Sequence, residues 1–448
     1  MTFVEKLRQD ELLSRVVQNS AHLFSSNSVS LALSIVQSIL AARMLGPAGF
    51  GLIAIVMSYA STVNGLLSFR MSELVVRYGG RYLEEGEKEK GAALIKAAGT
   101  AELIVSILAF VVVATTAGLG SRFIAKTPGT EWMFVLYSLG LLANFNTETS
   151  TGVLQITDSI RARGAVNLVQ SMFSAVVIGT AFVLTSRAGL SASTAMVFVL
   201  GAYLLGKTIL GLGLFAVARA KLHVVLGRHW QKASYSTLPA FRELFGFAFS
   251  SNLSATAILI FRESELLWIG LFLNTEAAGL YKIAYTIVGF LSVPADPLIL
   301  SVYPETNRLI VQKAWPRLRD FLSKITLLSF AYNMVLALGL VLLGHWVLAV
   351  FGGQYTAAFP AMMALLVGLS FNYTLFWNRP LLLSFGLQTF ALVAIVVAGV
   401  IKIALAFALV PRYGYVMEGA LLSVYYVLSV GLIAWRGLKE LKRQEARG

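Results

Sequence analysis

Residues 21–69 read AHLFSSNSVSLALSIVQSILAARMLGPAGFGLIAIVMSYASTVNGLLSF: two apolar runs joined by the corner Leu45-Gly46-Pro47-Ala48-Gly49. As helices, runs of about 20 residues reach roughly 30 Å, the thickness of a bilayer's hydrocarbon core. The same pattern continues along the chain. Apolar runs bounded by charge or Gly/Pro clusters lie near 21–42, 50–69, 92–117, 132–156, 165–185 and 194–217, then near 245–272, 278–300, 322–344, 357–377, 386–410 and 415–435. Of the 448 residues, 57% are hydrophobic and only 13% charged, about half the charge of a soluble domain. Mean hydropathy is +0.75. These values imply an all-α polytopic membrane protein of about twelve transmembrane helices. They exclude a soluble enzyme, a nucleic-acid-binding domain and a single-span receptor. With no cysteine there is no disulfide framework or thiolate metal site, and the four histidines show no ligand spacing, so no metal is expected.

Charge placement orients the helices. Of the 36 Lys and Arg, 26 fall in the N-terminus, the C-terminus and every second loop, against five in the alternate loops. The positive-inside rule then predicts cytoplasmic termini. The first twenty residues are polar, no small-residue cleavage site follows the first span, and that span is expected to be retained. All seven Trp fall at span ends or in loops, as an interfacial belt requires.

The chain also repeats itself. Phe24-Ser25-Ser26-Asn27 recurs as Phe249-Ser250-Ser251-Asn252, and the corner Leu45 to Leu52 recurs as Leu273 to Leu280. Each unit has six spans, so the copies would be parallel repeats with a substrate site between them. The expected organisation is a six-helix bundle over 1–218, a basic linker over 219–244 and a second bundle over 245–448.

Polar residues inside apolar spans carry the functional signal. Asn27, Ser30, Ser34 and Gln37 share one helix face; they serve either close helix packing or the lining of a wet cavity, as does the stripe Ser58, Thr62, Gly65 and Ser68. Ionisable groups cost about 2.5–3.5 kcal/mol each at mid-helix. Lys207, Arg262 and Lys402 lie deep, and Lys96 and Lys282 lie near enough to span ends to snorkel. The acids are Glu102, Glu148, Glu263, Glu265 and Asp296. Arg262 and Glu265 are i,i+3 neighbours able to pair, whereas Glu263 projects about 100° away, on the side of Asn252. Pro294-Ala295-Asp296-Pro297 should break its span, leaving a carboxylate for ion coupling, a hinge or a simple capped kink. Gly201 to Thr208 matches the phosphate-binding pattern G-x-x-x-x-G-K-[ST], but it sits inside an apolar run with no strand before it, so no nucleotide site is expected.

Ala42-Arg43-Met44-Leu45-Gly46-Pro47-Ala48-Gly49-Phe50-Gly51-Leu52 resembles a signature of bacterial polysaccharide transporters, the Wzx-type flippases of the superfamily that also holds the MATE exporters. Val76-Arg77-Tyr78 with Leu83 to Glu87, Pro304 to Arg308, and Phe351 to Ala358 with Gly386 resemble later segments of that family in the same order. The resemblance implies a MATE-like fold of two six-helix bundles. It also implies a flippase carrying an undecaprenyl-pyrophosphate-linked oligosaccharide, an O-antigen or exopolysaccharide unit, across the bacterial inner membrane by alternating access. In that family a cationic cavity serves the substrate; here Arg262, Lys207, Lys402 and Lys282 are the candidates. Arg43 and Arg70 are candidate mouth or gate residues, with interfacial anchoring as the other reading. Glu263, Glu265, Asp296 and Glu148 are candidates for ion coupling, and Asn27, Gln37 and Asn252 for the cavity lining. No cofactor is expected beyond a proton or sodium ion for coupling. The expected partners are the polyprenyl-pyrophosphate-linked glycan, membrane lipid and other polysaccharide-assembly proteins, with no nucleic acid. A cation-coupled exporter of drugs or metabolites is the nearest alternative, and a membrane glycosyltransferase or ligase a more distant one.

Overall fold

The computed structural model describes residues 11–189, 191–238, 256–293 and 295–446; the side chains at 11–28, 160, 296, 297, 300 and 301 lie outside that description. Among the described residues every regular element is helical. The first helix, α1 (Glu11–Leu67), changes direction at Gly46, whose φ of 65° and ψ of 176° leave the helical region. Glycine takes that backbone without a Cβ clash, and Pro47 has the φ and the missing N–H suited to a first helical position. The corner read from the sequence is therefore a break between two helices.

Next come α2 (Met71–Leu74), a π-helical turn Val75–Gly79, α3 (Gly80–Glu84), α4 (Lys88–Leu119) and a second π-helical turn Gly120–Ile124. The run 132–156, expected as one span, is instead α5 (Glu131–Ala143) and α6 (Thr147–Ile156), broken at Asn144-Phe145-Asn146. The Asn144 side-chain amide donates to the Gly140 carbonyl at 2.7 Å, the kind of local bond by which asparagine competes with the helical ladder. Then follow α7 (Ile160–Ala188) and α8 (Ala192–Leu226). Gly201 to Thr208 lies within α8, so the phosphate-binding pattern has no loop to form.

After a third π-helical turn, Leu259–Glu263, come α9 (Glu265–Phe272) and α10 (Thr275–Val288). A 3-10 turn, Gly289–Ser292, precedes α11 (Ala295–Val311). This is the interruption expected around Pro294 to Pro297. The chain closes with α12 (Trp315–Phe351), α13 (Phe359–Thr374), α14 (Asn378–Ser384), α15 (Gln388–Tyr413) and α16 (Tyr415–Glu445).

Eight stretches among the described residues are long and apolar enough to cross a membrane, and one of them, Val29–Glu84, contains the Gly46 corner. Their outward faces carry Val335, Leu342 and Val367, each more than 60% exposed. Such a belt is unfavourable in water and natural in lipid.

Contacts divide the chain into two compact units: Val29–Thr275, and a second containing Glu276–Gly448. The first extends past the boundary at 244 read from the sequence, because Gly270 of α9 packs against Ile124 and Ile55. Each unit repeats the other's plan. α4 and α12 start 227 residues apart, at Lys88 and Trp315. α5 and α13 start 228 apart, α7 and α15 likewise 228, and α8 and α16 223. The break between α5 and α6 returns between α13 and α14, at Leu375 to Trp377. The apolar cores use matching positions: Val75, Tyr82, Leu94, Ile95 and Ala98 in the first unit correspond, 227 residues on, to Val302, Leu309, Phe321, Leu322 and Ile325 in the second.

In the first unit the break is wedged by Gly211 of α8, where a Cβ would overlap the Ala143 carbonyl. Backbone cannot yield as a side-chain tip can, so Gly211→Ala is expected to cost about 1–3 kcal/mol. The measurement is the thermal midpoint of the detergent-solubilised chain. Gly201→Ala, at a position on the same helix where a Cβ meets open space, should not lower that midpoint and, alanine being the better helix former, should raise it slightly.

Candidate functional site

Intramembrane charge in the first unit gathers around the broken helix. Lys207 of α8 is half-buried, with its ammonium 4.8 Å from the ring centroid of the fully buried Tyr137 on α5. A cation over an aromatic face is stabilised by the ring quadrupole. Gly140, one turn on, gives the lysine stem room: a Cβ there would lie 3.5 Å from Lys207 Cδ. Among the described residues no carboxylate pairs with Lys207.

On the other side of the break, Glu102 of α4 is 5% exposed and caps α6. Its two carboxyl oxygens accept from the backbone N–H groups of Glu148 (2.8 Å) and Thr149 (2.9 Å). Breaking a helix leaves its first N–H groups without partners, and in lipid no water replaces them. The Glu148 side chain in turn accepts from the Ser72 hydroxyl at 2.6 Å. Glu102, Glu148 and Ser72 thus form one polar chain linking α4, α6 and α2. Sequence reading named both acids but missed the break that unites them. The signal was present in the run Asn144-Phe145-Asn146-Thr147-Glu148-Thr149, where cap-forming residues interrupt an apolar span.

The remaining candidates divide. Lys402, expected deep in its span as a cation of the substrate cavity, is instead neutralised: its ammonium lies 2.9 Å from Glu418 Oε1, with side-chain exposures of 1% and 0%. Sequence reading passed over Glu418 because it stands in the first turn of α16, and the pairing arises only where α15 and α16 pack. Arg262 lies 3.1 Å from Glu263, which corrects the expectation that Glu263 projects away from the arginine. The 100° step set only the directions in which the two side chains leave the backbone, and side chains this long can still meet, here where a π-helical turn, Leu259–Glu263, ends at the non-helical Ser264. Glu265 is buried at the start of α9.

Lys282 is half-buried on α10, with no carboxylate partner among the described residues. Gln37, expected to line a cavity, is 3% exposed and donates to the Ser171 carbonyl of α7 at 2.9 Å. Its amide joins two helices, the packing alternative. Arg43 is exposed on α1, and Arg70 pairs with Glu73 at 2.8 Å at the start of α2. Asn252 and the side chains of Asn27 and Asp296 lie outside the described residues.

The fold is that of the MATE-type transporters. A structure described as the inward-facing conformation of a multidrug resistance MATE family transporter of the MOP superfamily aligns with a TM-score of 0.74 at 13% identity, covering 93% of this chain and 96% of that one. A MOP superfamily transporter from Pyrococcus furiosus, described as having a binding pocket of reverse polarity, aligns with a TM-score of 0.67 at 13% identity over 99% of both chains. In sequence, the chain is similar to the inner membrane protein YghQ of Escherichia coli, at 25% identity over 78% of this chain and 96% of the relative. It is also similar to the teichuronic acid biosynthesis protein TuaB of Bacillus subtilis, at 24% identity over 47% and 46%. The model of the polysaccharide biosynthesis protein family matches residues 16–310, and the chain belongs to that family, the polysaccharide transporters of the MOP superfamily.

Proposed function

We propose that this integral membrane protein is a flippase that carries a polyprenyl-pyrophosphate-linked oligosaccharide across a bacterial inner membrane by alternating access, with both termini in the cytoplasm. The observation that carries this reading is Lys207, an ammonium set among apolar helices, seated on an aromatic ring and lacking a carboxylate among the described residues. Such a group is costly unless an anion visits it, and a pyrophosphate esterified at both ends is a dianionic head able to accept its three donors. Lys282, on α10 of the second unit and not at the repeat position of Lys207, is a further candidate cation. The polyprenyl tail can remain in lipid while only the head needs a polar path. Family membership and the relative named for teichuronic acid synthesis support a glycan cargo. A cation-coupled exporter of drugs or metabolites is less well supported for a cationic cargo, which two ammonium groups without a carboxylate among the described residues would repel. Glu148, hydrogen-bonded beside the helix break, is the candidate for proton or sodium coupling.

The test is surface polysaccharide per unit of membrane-inserted protein, in cells whose only copy of the gene is the variant. Losing one charge-assisted contact to the pyrophosphate should lower export roughly tenfold in Lys207→Ala and again in Lys282→Ala, while Lys207→Arg keeps most of it. Full export by the double alanine variant would remove the basis of the proposal.

A further inference from the structure

Each unit contains a cavity at the same place in its repeat, beside the broken helix. In the one in the second unit, about 520 Å³, the tryptophan and the arginine of the lining already have partners. Trp377 Nε1 donates to Thr326 at 2.6 Å, and the Arg319 guanidinium lies 3.8 Å from Glu445. The one in the first unit, about 250 Å³, differs in its chemistry. Where the second unit has Ser323 the first has Lys96, 227 residues earlier, and Arg219 adds a second cation about two turns before the end of α8. Neither has a carboxylate partner among the described residues.

The segment after α8 forms the cavity's outer wall. Lys96 donates to the Ala233 carbonyl at 3.1 Å and lies 4.3 Å from the Tyr235 ring centroid, and Tyr235 shares a 3.2 Å hydroxyl contact with Thr100. Trp230, also lining the cavity, has its indole N–H buried with no acceptor among the described residues. An orphaned buried donor is unfavourable, and here it borders the same space as two cations. The other walls are apolar, including Ile95, Phe145 and Phe215. From Thr100 the outward face of α4 continues as Leu103, Ile104 and Ile107, which are 39%, 60% and 47% exposed and suited to lying against an acyl chain.

We propose that this cavity binds the phosphodiester headgroup of an anionic membrane phospholipid. Lys96 and Arg219 supply charge, Trp230 Nε1 donates a hydrogen bond, and one acyl chain runs along the Leu103–Ile107 face of α4. Bound there, the lipid ties the segment 230–238 to the first unit. The cavity's apolar walls and its continuity with the lipid-facing stripe favour a phospholipid over a free inorganic anion. The site is separate from Lys207 and does not depend on what the protein transports.

The full-length chain, purified in detergent, would be titrated with phosphatidylglycerol and with phosphatidylcholine, and lipid retention read by native mass spectrometry. The wild type should hold phosphatidylglycerol roughly tenfold better, a preference that two charge-assisted contacts readily supply. Lys96→Ala with Arg219→Ala should abolish the preference. Trp230→Phe, which keeps the packing and removes the donor, should weaken retention about threefold, at the low end for one hydrogen bond, with the thermal midpoint unchanged. Arg319→Ala, in the counterpart cavity, should change nothing. Equal retention of the two lipids by the wild type, or undiminished preference in the variants, overturns the proposal. Displacement of phosphatidylglycerol by millimolar inorganic phosphate alone also overturns it, by showing a free-anion site.

Discussion

Lys402→Ala is expected to destabilise the second unit by about 3–5 kcal/mol, the cost of leaving one member of a buried ion pair without the other. The two side chains are fully enclosed where α15 packs on α16, so neither can turn to water when its partner is lost. Glu418→Ala should be equally damaging for the mirror reason. Replacing both, as Lys402→Met with Glu418→Leu, removes the two charges together and should recover most of the stability, since apolar residues of similar volume often substitute for such pairs without loss. The measurement is a set of thermal unfolding midpoints in one detergent, for the wild type, both single variants and the double. If the single variants melt with the wild type, the pair is not buried as described. A double variant that is folded but inactive would assign Lys402 to transport rather than to packing.

Glu102→Ala should cost roughly 2–6 kcal/mol, since it orphans two donors at about 1–3 kcal/mol each. The N–H groups of Glu148 and Thr149 have no place in the ladder of α6, because the break at Asn144 to Asn146 removes the preceding carbonyls. In Glu102→Gln one of the two acceptor oxygens becomes an NH2 group, so a partial loss is expected, well short of that for alanine. Thermal midpoints rank the three proteins, and hydrogen exchange at residues 147–150 locates the effect. Equal exchange protection in Glu102→Ala and wild type would mean that α6 is held by something other than this carboxyl.

Much of the architecture could be read from residue type and spacing because lipid enforces a single rule. A chain crossing hydrocarbon must satisfy its backbone internally and present apolar side chains outward. That rule placed the apolar cores of the described helices, although several helices run about two or three turns past the expected ends and the run 132–156 divides in two. The recurrence of the Leu45 to Leu52 corner at Leu273 to Leu280 likewise anticipated the duplicated plan, now seen in matching helix starts, helix breaks and core positions. The break in the span holding Asp296 was legible from its prolines. The one at Asn144 was not, because three residues without proline did not outweigh the apolar run on either side.

The intramembrane charges followed a different logic. Lys207 and Lys402 look alike in sequence, each a lysine near the middle of an apolar run, yet one rests on a tyrosine ring and the other is locked to a glutamate. Glu263, expected to project away from Arg262, pairs with it. From its sequence alone this protein had its membrane environment decided, and its twelve crossings and cytoplasmic termini expected, since these depend on transfer free energies summed over about 20 residues at a time. Which ionisable groups are neutralised was decided only by tertiary packing. Pairing at 3 Å depends on each helix's rotation about its axis and on local departures from 3.6 residues per turn, neither of which the order of residues records.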